Sequence, residues 1–213
     1  MHVIIFAGGT VQAGTALDKA LAEGELVIAA DSGASTALAL GDVPAFVVGD
    51  FDSLDEETQQ ELTRLGCQFV RVQVEKDETD TELAMEVALQ QGASRITILG
   101  ALGGTRFEHT IANIQLLVGY LTLPVEIVDG NSRGWLVRGP GTTLIEGNPG
   151  DLLSLLPLTV AVTGVCTENL YYPLRDETLA FGKPRGISNV LLGAQARVSL
   201  SEGLLMLVHT ISE

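Results

Sequence analysis

One three-part phrase occurs twice in succession in the N-terminal half, and it restricts the fold more than any other feature. The first copy is an apolar strand pattern over 45–48, the turn Gly49-Asp50-Phe51-Asp52-Ser53, and a helix pattern over 54–65 closed by Gly66. The second is the alternating run Val70, Val72, Val74, the turn Lys76-Asp77-Glu78-Thr79-Asp80, and a helix pattern over 80–91 closed by Gly92. Ser53 with Glu56, and Thr79 with Glu82, match the capping box that starts a helix. Strands alternating with helices build a parallel sheet, because each crossover returns the chain in the same direction. In such a sheet, successive strands deliver their loops to one carboxyl edge, where ligands bind. The two acidic turns are therefore expected to meet.

Carboxylates brought together need an offsetting charge. Two of them about 4 Å apart repel by roughly 4 kcal/mol at an effective dielectric near 20. Asp50, Asp52 and Asp80 are hard oxygen donors with no His or Cys beside them, which favours Mg²⁺ over zinc. Mg²⁺ completes its shell with water and phosphate oxygens, so a phosphate-bearing ligand is implied. The competing reading is a pair of solvated acidic turns that only cap helices, since Asp80 in a first helical turn is also favoured by the helix dipole.

The remaining N-terminal elements fit the same sheet. Apolar runs at 3–7, 26–30, 95–99 and 124–128 read as strands. The first ends in Gly8-Gly9, whose N–H groups could approach phosphate. The second ends in Asp31-Ser32-Gly33, where Asp31 or Ser32 either caps the helix expected over 35–40 or, for Asp31, joins the metal loops. The run at 95–99 leads into Gly103-Gly104-Thr105-Arg106 and a helix over 110–121. Glycines at a helix start expose N–H groups to anions, and Arg106 adds a planar charge suited to phosphate. His109 and Asn113 lie one turn apart on the same face.

From residue 131 the pattern changes. Short apolar or alternating runs, including 135–137, 160–165, 170–172 and 204–210, are separated by Gly and Pro. This is the pattern of a small antiparallel β-sandwich. The expected organisation is an α/β domain over 1–130, Rossmann-like with a mostly parallel sheet, followed by a β-sandwich over 131–213.

Charge narrows the partners. The chain has 12 basic and 27 acidic side chains, a net charge of −15, which repels nucleic acid and anionic membranes. An anionic substrate then needs a metal or placed bases. Cys67 and Cys166 form no disulfide framework or zinc spacing. Residues 1–7 lack the basic lead of a signal peptide, and no apolar run reaches membrane-spanning length, so a cytoplasmic enzyme is expected.

The ordered set Asp31-Ser32-Gly33-Ala34, Gly49-Asp50-Phe51-Asp52-Ser53, Lys76-Asp77-Glu78-Thr79-Asp80 and 103–113, followed by Tyr172-Pro173-Leu174 and Gly186-Ile187-Ser188-Asn189, resembles thiamine pyrophosphokinase of the bacterial type. The resemblance covers nearly the whole chain. It implies transfer of a diphosphoryl group from ATP to the hydroxyl of thiamine, with Mg²⁺, giving thiamine diphosphate and AMP. It also implies a homodimer with thiamine near the subunit interface. By position, Asp50, Asp52, Asp77 and Asp80 would serve the metal and diphosphate, with Asp31 in the same cluster. Ser53, Lys76, Thr79, Gly103, Gly104, Arg106, His109 and Asn113 would serve the nucleotide side, and Ser188 and Asn189 the thiamine side. Thr105 lengthens the glycine–arginine spacing, and Glu108 stands where Asp is commoner. Two rival functions fit parts of the pattern: an Asp-x-Asp nucleotide-sugar glycosyltransferase, and a non-catalytic Mg-nucleotide sensor.

Overall fold

A computed structural model describes residues 1–72 and 77–212. The chain forms two compact units, Met1–Gly130 and Asn131–Glu213. The first carries strands β1 (His2–Phe6), β2 (Leu26–Ala30), β3 (Phe46–Gly49), β4 (Gln68–Arg71), β5 (Arg95–Leu99) and β6 (Val125–Asp129). Its helices are α1 (Thr15–Glu23), α2 (Gly33–Ala39), α3 (Glu56–Arg64), α4 (Asp80–Gln90) and α5 (Phe107–Leu116). The strands lie in the order β6-β5-β1-β2-β3-β4, and every described pair is parallel. Val3, Ile4, Ile5 and Phe6 are fully buried. That explains their unbroken apolar run, since a parallel strand is covered on both faces. The order reverses at β1, which pairs with β2 on one side and β5 on the other. This switch point opens a crevice beyond the carboxyl ends of the strands.

Helix starts decide what the loop residues are free to do. Thr79 accepts the Glu82 N–H at 3.2 Å and caps α4 as expected. Ser53 does not cap α3. Asp55 does, accepting the Thr58 N–H and the Thr58 hydroxyl, each at 2.8 Å. A carboxylate placed at the helix start accepts both donors and also favours the dipole, so it displaces the Ser53 box. Nor does Asp31 or Ser32 cap α2, which begins at Gly33 with no side-chain cap. Helix α5 starts at Phe107, earlier than the sequence suggests, and passes into a 3-10 turn over Leu117–Tyr120. The alternating run around Val72 is strand only through Arg71, and Val74 lies outside the described residues.

The second unit contains β7 (Ser132–Arg138), β8 (Gly141–Glu146), β9 (Leu152–Pro157), β10 (Ala161–Glu168), β11 (Glu177–Ala180), β12 (Asn189–Val190), β13 (Gln195–Leu200) and β14 (Leu204–Thr210). Their order is β12-β9-β14-β7 in one antiparallel layer and β11-β10-β13-β8 in the other. Leu153, Leu155, Leu205 and Leu207 of the first layer pack with Val162, Val165, Ile145 and Val198 of the second in one core. The expected strand at 170–172 is instead a turn. Leu170 makes a single bridge to Leu191 after Asn169, which is held at φ 59°.

A polar pin closes this unit. Asp151 is buried, yet its carboxylate accepts from Asn148 N–H at 2.8 Å, His209 Nε2 at 3.0 Å and Ser212 N–H at 3.0 Å. Burial raises its carboxyl, but the two backbone donors and His209 outweigh this and hold it below its usual value. Burial pushes the His209 imidazole down, and nearby Arg133 adds to this against the pull of Asp151. Neutral His209 thus donates from Nε2. The folded state takes up a proton at His209 less readily than the unfolded chain, whose imidazole titrates near about 6.5. Stability therefore falls as pH drops below about 6.5, and falls further below about 4, as the unfolded chain takes up a proton at Asp151, until pH has passed the depressed folded value. We expect Asp151→Asn to cost about 2–4 kcal/mol in denaturant unfolding at pH 7, because buried donors lose a charged acceptor. We also expect its melting temperature to depend more on pH between 4 and 7 than that of the unaltered protein, because without Asp151 the His209 imidazole is held still further below its unfolded value.

Candidate active site

Three separate segments of the first unit supply four carboxylates. Asp31 follows β2 at φ 47°, a left-handed conformation that Asp tolerates better than most residues. It is fixed by its N–H, which donates to Val48 O at 2.9 Å. Gly49 ends β3, and a Cβ there would lie 3.1 Å from the Asp31 Cβ, so glycine lets the two strand ends approach. Asp50 and Asp52 flank buried Phe51, and Asp52 N–H donates to Asp50 Oδ1 at 3.1 Å. Carboxylate oxygens of Asp31, Asp50 and Asp52 lie within 4.8 Å of one another. Asp80, opening α4, lines the same cleft of about 420 Å³, between Thr79 and Thr81.

Asp31 is the most constrained member. Ser53 Oγ donates to its Oδ2, which is the role that Ser53 takes instead of capping. Its Oδ1 is buried and meets no hydrogen-bond donor among the described residues. Burial raises the Asp31 carboxyl most. The Ser53 bond opposes this, and the charges of Asp80, Asp50 and Asp52 reinforce it. A buried carboxylate oxygen without a partner, facing two further acids, matches what a hard divalent cation needs from its ligands. The donor set is all oxygen, which favours Mg²⁺ over zinc.

The glycine-rich side of the cleft differs from expectation in one respect. Gly9 N–H donates to Gly100 O at 2.8 Å and Thr10 N–H to Leu102 O at 3.1 Å. Those amides extend the pairing of β1 with β5 and are not free for phosphate. A Cβ at Gly9 would fall 2.4 Å from Gly100 O, so this glycine serves close packing. Gly103 and Gly104 take φ 69° and 81° and line the cleft with Arg106 and His109. Arg106 Nε donates to Glu108 Oε1 at 2.8 Å, both side chains being exposed. Such a pair is weak and exchanges readily for a more highly charged anion. Asn113 is buried and donates to Ala101 O at 2.8 Å, so it fixes the loop.

Both halves of the chain match models of one enzyme family. Residues 17–128 match the thiamin pyrophosphokinase catalytic domain and residues 142–205 the thiamin pyrophosphokinase vitamin B1 binding domain. The chain belongs to the thiamin pyrophosphokinase family. A thiamine pyrophosphokinase of Bacillus subtilis is 30% identical over 191 residues, 88% of each chain. The crystal structure of a Bacillus subtilis thiamine pyrophosphokinase superposes with a TM-score of 0.88 at 27% identity, covering 100% of both chains. That of Geobacillus thermodenitrificans gives 0.85 at 30%, covering 100% of this chain and 99% of the other. The chain is thus an enzyme of thiamine diphosphorylation, and its Asp50-Phe51-Asp52 motif belongs to a pyrophosphokinase rather than a glycosyltransferase.

Other sequence-chosen positions of this pyrophosphokinase fall elsewhere. Asp77 is exposed and does not line the cleft, and Lys76 lies outside the described residues. In the second unit, Ser188 is exposed at φ 55°, and its N–H donates to Ser154 Oγ at 3.0 Å. Asn189 is buried. Its Oδ1 accepts from Tyr172 N–H at 2.9 Å and its Nδ2 donates to Tyr172 O at 2.7 Å. The Asn189 amide is therefore committed to holding Tyr172, which meets Tyr171 edge to face at 4.8 Å. Ser32, Thr81 and Thr105 also line the cleft but were not chosen as site residues from the sequence; Ser32 and Thr105 lie inside recognised motifs and Thr81 follows one.

The raised Asp31 carboxyl sets the sign of one test. The folded protein binds this proton more tightly than the unfolded chain. Its contribution is thus fully present below the ordinary value and is lost as pH rises through the raised one. At neutral pH the charge opposes folding, and Asn tolerates the left-handed backbone equally well. Asp31→Asn should raise the melting temperature by a few degrees in chelating buffer. Added Mg²⁺ should stabilise the unaltered protein more than this variant, as read by calorimetry.

Proposed function

We propose that the enzyme is an ATP:thiamine diphosphotransferase that uses Mg²⁺. The observation that carries this reading is the convergence of Asp31, Asp50 and Asp52, with one buried carboxylate oxygen unpaired, in the cleft of a family member. The thiamine hydroxyl oxygen attacks the β-phosphorus of ATP in line. The bond from that phosphorus to the oxygen bridging the α-phosphate breaks. AMP departs with the bridging oxygen, and the hydroxyl proton passes to a carboxylate of the cluster. Mg²⁺ bound by Asp50, Asp52 and Asp80, with Asp31 beside them, would neutralise charge on the phosphate oxygens.

The chain's own residues do the positioning that phosphoryl transfer chiefly requires. Arg106 leaves Glu108 for the nucleotide phosphates, with His109, Gly103 and Gly104 beside it, while Asn113 holds their loop. Thr79 fixes the start of α4 and so the direction of Asp80. Asp77 and Lys76, which precede Thr79 in the sequence, would serve the diphosphate. Ser188 serves thiamine directly, and Asn189 serves it through the Tyr171–Tyr172 pair. Exposed Tyr171, Tyr172, Phe181 and Leu192 give the second unit an apolar surface, consistent with a homodimer. The net charge of −15 suits a cationic thiazolium substrate and a cytoplasmic enzyme free of nucleic acid and membrane.

Incubation with ATP, Mg²⁺ and thiamine should yield AMP and thiamine diphosphate in equal amounts. Asp52→Asn should lower kcat by about 10²-fold or more, as expected for removing one preorganised charge, with the melting temperature in metal-free buffer unchanged or raised. Thiamine monophosphate with ADP as products, or tight ATP binding without AMP release, would overturn the assignment.

A further inference from the structure

The residue between the two aspartates has no part in the chemistry above, yet its environment is specific. Phe51 is 5% exposed while Asp52 beside it is exposed and Asp50 half-buried. It adopts φ 69°, a conformation that a bulky L residue rarely takes. Such a backbone persists only where the surroundings over-determine it. The ring meets Phe69 edge to face, with centroids 5.1 Å apart and planes at 85°. The Arg71 guanidinium lies 5.0 Å from the centre of the same ring, and its Nη1 donates to Asp50 O at 3.4 Å. Phe69 and Arg71 lie two apart on β4 and so share a face. Their register partners, Val47 and Gly49, lie on the strand that leads into the turn. From the other side, Gln59 Nε2 donates to Phe51 O at 3.4 Å and to Leu54 O at 2.8 Å.

We infer that Phe51 is a positioning residue for the cation-binding carboxylates, its ring being the anchor that folds Asp52 back towards Asp50. Extended backbone would carry the chain onward after Asp50. The left-handed residue reverses it, and the Asp52 N–H returns to Asp50 Oδ1 at 3.1 Å. That closure is what lets two residues separated by one aim at a single ion. The aromatic ring on Phe69 and beneath Arg71 holds the reversed turn against the repulsion of its two charges. Arg71 contributes from behind the turn by hydrogen bonding to the Asp50 carbonyl, leaving the carboxylate free. The inference rests on the divalent-cation reading of the cleft.

The test is Mn²⁺ affinity, measured on the nucleotide-free full chain by electron paramagnetic resonance, for Phe51→Leu and Phe51→Ala. Leucine keeps apolar burial but loses the ring contacts, so Phe51→Leu is expected to fold. Its Mn²⁺ affinity should fall about tenfold, equivalent to about 1.4 kcal/mol, and Phe51→Ala should fall further. Turnover of Phe51→Leu should be low at limiting Mg²⁺ and largely restored by tenfold more, with kcat at saturation little changed. A residue that only fills the core would lower melting temperature without moving the Mg²⁺ requirement. Phe51→Leu binding Mn²⁺ within twofold of the unaltered protein, at an unchanged Mg²⁺ requirement, overturns the inference and leaves the cation reading intact. An unaltered protein that binds no Mn²⁺ and turns over fully in chelator overturns both.

Discussion

Repulsion between carboxylates governs this molecule. Asp31, Asp50 and Asp52 present oxygens within 4.8 Å of one another, and Asp80 shares their cleft. At that spacing each pair opposes the fold by a few kcal/mol at an effective dielectric near 20. The whole margin of a domain is only about 5–15 kcal/mol. The rest of the first unit is arranged to bear this load. Fully buried β1 and the parallel pairs around it form a rigid base. Loops leave that base at one edge with little freedom to separate. The strain is stored locally, in Asp31 and Phe51 at positive φ and in a buried oxygen without a donor. Active sites use such strain as preorganisation for charge that arrives with the substrate.

Supporting side chains keep the cluster from relaxing. Ser53 bonds to Asp31, Asp55 starts α3 in its place, and Gln59 reaches from α3 to the turn. Asn113 performs the same service for the glycine loop through Ala101. In the second unit Asn189 holds both backbone groups of Tyr172, and Asp151 gathers Asn148, His209 and Ser212. Most of these bonds go to backbone, while those of Ser53 with Asp31 and of His209 with Asp151 join side chains.

How much of this was legible in the sequence depends on range. Strands such as β1 and β5 declare themselves because nearly every residue is buried and most are apolar. The cap at Thr79 is readable because its partner Glu82 is three residues away. The Ser53–Glu56 box was the local solution read for α3, but Ser53 bonds instead to Asp31, 22 residues distant, and Asp55 caps the helix. Gly8-Gly9 suggested phosphate binding, yet the Gly9 amide pairs with Gly100, a neighbour only through sheet order. The commitment of Asn189 to Tyr172 depends on tertiary structure and leaves no local signature. Phe51 carried no signal as a positioning residue, since neither its backbone angle nor its contact with Phe69 is written in local pattern. The family resemblance was legible because motif order along the chain needs no geometry.

The central claim is that the clustered carboxylates exist to hold a divalent cation against a polyphosphate. Crystals grown with Mn²⁺ and a non-hydrolysable ATP analogue test this most directly, through the anomalous signal of manganese. The account predicts a peak about 2.1–2.2 Å from oxygens of Asp50 and Asp52, within reach of Asp80 and of the analogue's phosphates. A nucleotide bound in the cleft with manganese absent from these aspartates, or held by other residues, would contradict it.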